Sequence, residues 1–518
     1  MRSLAYNRTM PLKSTFAQAP ESSAATKQYV RFNDNSVAKA LQDPAGRDRT
    51  VHIRNCAILS MDDEIGDLTG DIVFKSGIIL AVGADQPVAD DAIIIDGTGF
   101  VASPGLVDSH VHAWEGQLRG IAPNGELDDY FRIALQGMPT VYRPHDMYVG
   151  NLLTSLSCIN AGITTISDAS HNPRTPDHAN ASIEALQDAG IRAVYAAGEP
   201  LGGSWGYDWF ADVERIQKEY FEQTDQLLQM RIYAAQPTIE KFELARKMNI
   251  GTVTEAVSHI DALMPEARQK GLLGPNDAFN HCADLSDHTW AIMRDAGVAV
   301  NMTARSDLQF GIGTPFLPIE KAIEFGIVPG LANDVETSYG VDIFNEMRTL
   351  FYAQRGRALD PNPGTRSGMG TIPMRDFLKF ATVGGALNCG LSHKIGALRP
   401  GMAADIILLD MFDINMFPVN NAAGAVVSFA HPGNVDTVFI EGRVKKWQGN
   451  LMGLQLEDIL AKVDESRNFI LRSLGIELNL FSRKTPLRES FDAGDVPLMA
   501  AHRAAQEARW NSRDSEKV

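Results

Sequence analysis

The sequence predicts an α/β protein: a (β/α)8 (TIM) barrel beside a small β-sandwich formed by segments N- and C-terminal to the barrel. Three observations predict it. Between residues 105 and about 386, short apolar runs alternate with amphipathic stretches, the pattern of repeated βα units and a parallel sheet. Eight such runs can be counted, and eight strands with right-handed crossovers close into a barrel. Shorter β-like runs with turn signals precede and follow this region, and neither set alone can form a closed core.

The elements follow in order. Residues 51–59, 70–74 and 78–82 are apolar runs, with Lys75-Ser76-Gly77 as a hairpin turn and 92–95 continuing the pattern. Barrel strands are predicted at 105–111, 163–167, 192–197, 231–235, 248–254, 278–282, 298–302 and 327–332. Helices fill the gaps, for example 179–189, 287–295 with Ser286 as N-cap, and 343–354. After residue 386 the β character returns, with a turn at 396–401, a strand at 405–410, and a pair at 437–440 and 443–446 around Glu441-Gly442. The expected organisation is a composite sandwich of 50–103 and 391–449, a (β/α)8 barrel at 104–390, and a closing helix at 450–477. A flexible extension is expected at 1–49 and a tail at 478–518 with a short helix at 499–510. The basic, acid-poor start leaves an organelle transit segment as the alternative for the extension, and no apolar stretch in it suits a secretory signal.

Composition excludes several classes. The 518 residues are 44% hydrophobic and 21% charged, which rules out a disordered or low-complexity chain. Acidic residues outnumber basic ones, 64 to 47, for a formal charge of -17. Such a surface repels phosphate backbones and anionic lipid, so neither nucleic acid nor membrane is an expected partner. Cys56, Cys158, Cys282 and Cys389 are scattered without C-x-x-C spacing, which fits a reducing, cytoplasmic setting.

In a barrel of this kind chemistry sits on loops at the carboxyl ends of the strands. His110 and His112 end strand one in Asp108-Ser109-His110-Val111-His112. Alternation along a strand turns both imidazoles to one face, where they suit a divalent metal. His281 ends strand six and Asp334 ends strand eight, so all four are expected at one mouth. Buried groups of this kind are costly unless paired or metal-bound.

These residues carry a resemblance. The run Pro104-Gly105-Leu106-Val107-Asp108-Ser109-His110-Val111-His112, the His281-Cys282 block with Leu285-Ser286-Asp287, Asp334 followed by Asp342-Ile343-Phe344, and Gly401-Met402-Ala403-Ala404-Asp405 resemble the amidohydrolase superfamily. The likeness is to the branch holding cytosine deaminase and the triazine hydrolases. It implies one divalent metal ion, zinc first, with iron, manganese or cobalt as alternatives. It further implies that Asp334 orients and deprotonates a water and that His281 supports the developing oxyanion. The implied reaction is hydrolysis of a C–N bond, a deamination or amide/urea-type cleavage, in a small ring-bearing substrate. Self-association as a dimer or tetramer is implied as well.

The family pattern also places a histidine on strand five, where this chain reads Thr252-Val253-Thr254-Glu255. Three arrangements stay open. His110, His112 and Asp334 hold the metal, with His281 or water completing the shell. His171, which follows strand two, substitutes for the missing imidazole. Or Asp334 and His281 act as an acid–base pair without metal. Glu255 is a candidate general base. Trp114, Gln117, Arg119, Trp205, Gln236 and Arg305 are candidate substrate contacts, with Trp205 on a glycine-rich loop suited to a lid. A non-hydrolytic enzyme, such as a decarboxylase or lyase, and a non-catalytic binding barrel are the alternative functions.

Overall fold

In the computed structural model, residues 35–43, 48–223, 226–313 and 317–482 are described. The predicted helix at 499–510 and most of the predicted extension and tail lie outside them.

Eight parallel strands form one sheet in strict chain order. They are Leu106–Val111, Ile163–Ser170, Arg192–Gly198, Leu228–Ala234, Thr252–Val257, Ala278–Ala283, Ala299–Met302 and Gly330–Leu331. The first three are buried along their whole length, as expected of strands covered on both faces. A single parallel bridge, Val111 to Asp334, joins the last strand's end to the first. Two backbone bonds make this junction: Asp334 N–H donates to the His110 carbonyl at 2.8 Å and His112 N–H donates to the Asp334 carbonyl at 2.9 Å. Several helices of the barrel begin on side-chain caps. Ser286 accepts from the Thr289 amide, Thr238 from Lys241 and Asp342 from Asn345, each satisfying an amide the helix leaves free.

The flanking segments meet in one nine-stranded sheet, running from Asn450–Leu451 at one edge to Ile78–Gly83 at the other. Phe100–Pro104, not predicted as a separate strand, joins its two halves. It pairs parallel with Val51–Leu59 and antiparallel with Ile406–Asp410. Sheet and barrel are tied by a buried ion pair: Arg192, on the third barrel strand, reaches Asp405 at 2.8 and 3.0 Å. At the barrel entrance, Gly105 is required by close approach, because a Cβ there would lie 2.0 Å from Thr164 Oγ1. Part of the predicted flexible extension is ordered. Asn35–Gln42 is helical, and Val37, Ala40 and Leu41 pack on the apolar side of the nine-stranded sheet.

Strand five differs from its prediction by several residues. Residues 239–247 are helix, with Met248 as its C-cap, and the strand starts only at Thr252. The start is fixed by Asp277, which accepts from the Thr252 amide at 2.9 Å and its hydroxyl at 3.0 Å. This shift carries Glu255 into the strand instead of beyond it.

Candidate active site

The barrel junction draws three side chains to a point. Asp334 Oδ1 lies 3.1 Å from His110 Nε2 and 3.2 Å from His112 Nε2. Asp334 Oδ2 accepts from Ser306 at 2.5 Å. Asp334 has φ of 69° and His281 of 62°, a left-handed backbone that costs roughly 1–3 kcal/mol for such residues and clusters at functional sites. Burial opposes ionisation of Asp334, yet the imidazoles of His110 and His112 beside it hold its carboxyl well below the usual range. Burial likewise opposes a charge on His112, and Asp334 still lifts it to about 9. Both directions say that this point attracts a cation.

The donor set fits a divalent metal. His110 Nε2 is buried with no hydrogen-bond partner. His112 Nδ1 faces the Ala169 carbonyl at 3.3 Å and His171 Nε2 at 3.1 Å. An N–H on Nδ1 serving those acceptors leaves the Nε2 lone pair of His112 facing Asp334. Two imidazole nitrogens and one carboxylate oxygen, completed by water, form a workable catalytic ligand set.

Opposite them stands a second cluster. Glu255 Oε1 is 3.4 Å from His110 Nε2 and accepts from Tyr233 and Asn280, each at 2.8 Å. Its Oε2 lies 2.8 Å from His281 Nε2. His281 Nδ1 in turn faces Asp307 at 2.7 Å. Burial opposes charge on His281, but Asp307 and Glu255 hold it well above the ordinary imidazole range. Glu255 is held below the usual carboxylate range by His110 and His281, against its burial.

These positions bear on three expectations. His281 faces Glu255 and Asp307 through its two ring nitrogens, and with His110 and Glu255 it forms a second group whose ligand atoms could hold a metal ion. His171 spends Nε2 on His112 and stacks on Tyr233, so it positions a neighbour and does not substitute for the missing imidazole. The strand-five vacancy expected at Thr252 or Val253 also disappears. Thr252 is tied to Asp277, Val253 packs with Ala169 and Ala196, and the group strand five presents to the centre is Glu255.

A cavity of about 90 Å³ opens over these residues. Tyr130, Phe131, Phe310, Leu127, Leu135 and Leu201 give it an apolar, aromatic wall, while His112, His171, Glu255, His281 and Asp334 make its polar face. A larger cleft of about 610 Å³ beside Trp290 and Met369 contains none of these groups, and an apolar pocket with convergent polar groups is the better site.

None of the six predicted substrate contacts lines the cavity. Trp114 is fully buried against Tyr142 and His171. Gln117 donates to the Asp146 carbonyl. Arg119 pairs with Glu336 and Ser157. Arg305 is committed to Glu346 and to Asn333, whose side chain donates to Asp108 beneath the junction. Gln236 is half-buried and its carbonyl accepts from Lys241. Trp205 is 54% exposed, on the far side of Arg174. Each has a polar or aromatic partner outside the cavity that spacing alone could not reveal. Tyr233, Asn280 and Asp307 were missed because they belong to no motif. Tyr233 carried the one usable signal, a hydroxyl-bearing ring near the end of a barrel strand.

The same fold and sequence pattern recur in known proteins. A 5'-deoxyadenosine deaminase of Methanosarcina mazei is 25% identical over 441 residues, covering 80% of this chain and 97% of its own. A 5-methylthioadenosine/S-adenosylhomocysteine deaminase of Acetivibrio thermocellus is 28% identical over 455 residues, covering 82% and 100%. Among solved structures, a zinc-bound adenosine deaminase of Xanthomonas campestris superposes with a TM-score of 0.71 at 19% identity, over 82% of this chain and 98% of the other. A zinc complex of atrazine chlorohydrolase from Arthrobacter aurescens gives 0.66 at 22%, over 80% and 100%; both show the same fold. The sequence model of the amidohydrolase family matches residues 101–445. With two-thirds of its sequence matched by that model, the chain belongs to the amidohydrolase family.

Proposed function

We propose that this protein is a metal-dependent hydrolase that deaminates a small ring-bearing substrate, exchanging an exocyclic amine for a solvent oxygen and releasing ammonia. The observation that carries it is the convergence of His110, His112 and Asp334 on one point, where His112 and Asp334 line an aromatic cavity that also presents Glu255 and His281. The deaminases named among its relatives support the same reaction type.

His110, His112 and Asp334 would hold one divalent ion. Zinc is the first choice given the zinc-bound neighbour, and iron, manganese or cobalt suit the same donors. Bound there, such an ion lowers the pKa of a coordinated water toward neutrality. Asp334 then accepts the proton of the attacking water through the carboxylate that Ser306 fixes. Glu255, an ionised carboxylate gripped by Tyr233 and Asn280, takes the water's other proton, and the two protons go to the ring nitrogen and to the amine that departs as ammonia. Once Glu255 takes up a proton, the His281 imidazolium, anchored by Asp307, is free to turn its Nε2–H toward charge that develops on the substrate. Tyr130, Phe131 and Phe310 stack on a planar ring and exclude water. The cavity is small for a ligand pocket, which typically spans about 300–1,000 Å³, so a compact ring fits and a nucleoside requires its wall to shift.

The same reading assigns catalysis to 104–390, with 50–103, 391–449 and 450–477 as support. It takes a small molecule as partner, the cytoplasm as location and a homo-oligomer as assembly. Support for the location is that all four cysteines are free and buried. Among the described residues, no helix is long and apolar enough to cross a membrane.

Two results are expected. Exhaustive chelation removes activity together with a stoichiometric metal, and turnover in oxygen-18 water labels the product. Unlabelled product, or full activity in the stripped protein, would overturn the reading and favour a non-hydrolytic step. Glu255→Gln keeps its shape but cannot shuttle a proton, so kcat should fall by about 10²–10³-fold at unchanged metal content. Parallel kinetics and elemental analysis check this.

A further inference from the structure

The cavity is polar at its reacting face and apolar elsewhere, and much of the apolar wall comes from one stretch of chain. Leu127, Phe131 and Leu135 stand at i, i+4 and i+8 along two consecutive helical pieces, Leu127–Tyr130 and Phe131–Gly137, and all three line the cavity. That spacing puts them on one face. Eight steps of about 1.5 Å make a stripe of about 12 Å, longer than a single aromatic ring. The second piece is wound as a π-helix, a rare form that recurs at functional sites. Phe310, Ile312 and Leu201 pack in the same apolar cluster and extend the wall.

Two hydroxyls also line the cavity, and both are committed. Tyr130 donates to Glu115 at 3.1 Å, and Glu115 accepts from the amides of Glu336 at 2.8 Å and Thr337 at 3.3 Å. Glu115 does not line the cavity, so this bond draws the phenol's proton away from a ligand. Tyr233 donates to Glu255 at 2.8 Å, on the reacting face itself. Among the described residues that line the cavity, every polar side chain thus either belongs to the reacting face or is held by a partner. A wall of this kind selects by what it cannot satisfy. A substrate hydroxyl placed against it gives up its water partners and finds no replacement, whereas a methyl or methylene gains by leaving water. A ribose is penalised at each of its hydroxyls.

We propose that the substrate is an uncharged amino-substituted heteroaromatic ring bearing a short alkyl group, which lies along Leu127, Phe131 and Leu135, and that ribose-bearing substrates are rejected. This rests on the reading above that the cavity is the site of deamination.

The probes are 4-amino-6-ethylpyrimidine and 4-amino-6-(hydroxymethyl)pyrimidine, which share the ring and the reacting amine and differ by a methyl against a hydroxyl. Affinities are measured by calorimetry on the purified full-length protein. Ammonia release gives kcat/KM for both and for 5'-deoxyadenosine. The ethyl compound should bind about 10–100-fold more tightly than the hydroxymethyl one and be the best substrate of the three. Leu135→Asn offers the hydroxyl a partner and should cut that affinity ratio by about threefold or more, whereas Leu135→Met should keep it. Should Leu135→Asn fail to fold, Leu127→Asn, in the first turn, carries the same comparison. Equal binding of the two pyrimidines, a ratio untouched by the Asn variant, or 5'-deoxyadenosine as the best substrate overturns this proposal and leaves the deaminase reading standing. The expected affinity ratio with no ammonia from any probe overturns the deaminase reading and leaves the selectivity of the wall. Failure of all three to bind or react overturns both together.

Discussion

Asp334→Asn is expected to lower kcat by about 10³-fold or more, the scale of losing both a proton acceptor and a charged ligand at a hydrolytic centre. The substitution is nearly isosteric. It leaves the two backbone bonds to His110 and His112 in place and preserves an oxygen for Ser306. What it removes is the negative charge that both imidazoles face, at 3.1 and 3.2 Å. The carboxamide neither takes the proton of an attacking water nor neutralises a divalent cation. Metal content should therefore fall along with turnover, while the thermal midpoint stays near that of the wild type. Activity within tenfold of wild type, at full metal occupancy, would remove Asp334 from the chemistry.

The largest stability effect is expected away from the cavity, at Arg192→Met. Arg192 and Asp405 are both buried and are joined by two hydrogen bonds across the boundary between barrel and nine-stranded sheet. Asp405 also accepts from the Glu441 amide at 2.7 Å. Removing only the cation strands a carboxylate in a dry interior, at a cost of about 3–5 kcal/mol. Denaturant midpoints and thermal scans should both drop. The double variant Arg192→Met/Asp405→Leu should recover most of the loss, because replacing both members of a buried pair by apolar groups is often near neutral. A single variant as stable as the wild type would show that water reaches Asp405.

Much of this organisation is legible in the sequence because the signals are periodic or local. Eight apolar runs between amphipathic stretches suffice for a barrel, and strand ends mark where His110, His112, His281 and Asp334 belong. What is not legible depends on partners distant in the chain. The start of strand five is set by Asp277, and without it Glu255 reads as the first turn of a helix. His171 looks like a spare ligand until the backbone turns its ring toward His112. Trp114, Gln117, Arg119 and Arg305 are polar or aromatic residues next to a motif. They are consumed in bracing the loops, and their partners Tyr142, Asp146, Glu336 and Glu346 come from other elements.

The bridge from Val111 to Asp334 unites the closure of the barrel with the placement of the site's side chains. The barrel's hoop is fastened by a clasp whose pins are the backbone amides of His112 and Asp334. Side chains that meet at the reacting centre are thus mounted on the fastening itself. His110, His112 and Asp334 meet only where the ring is sealed, so a slackened seam would displace all three together.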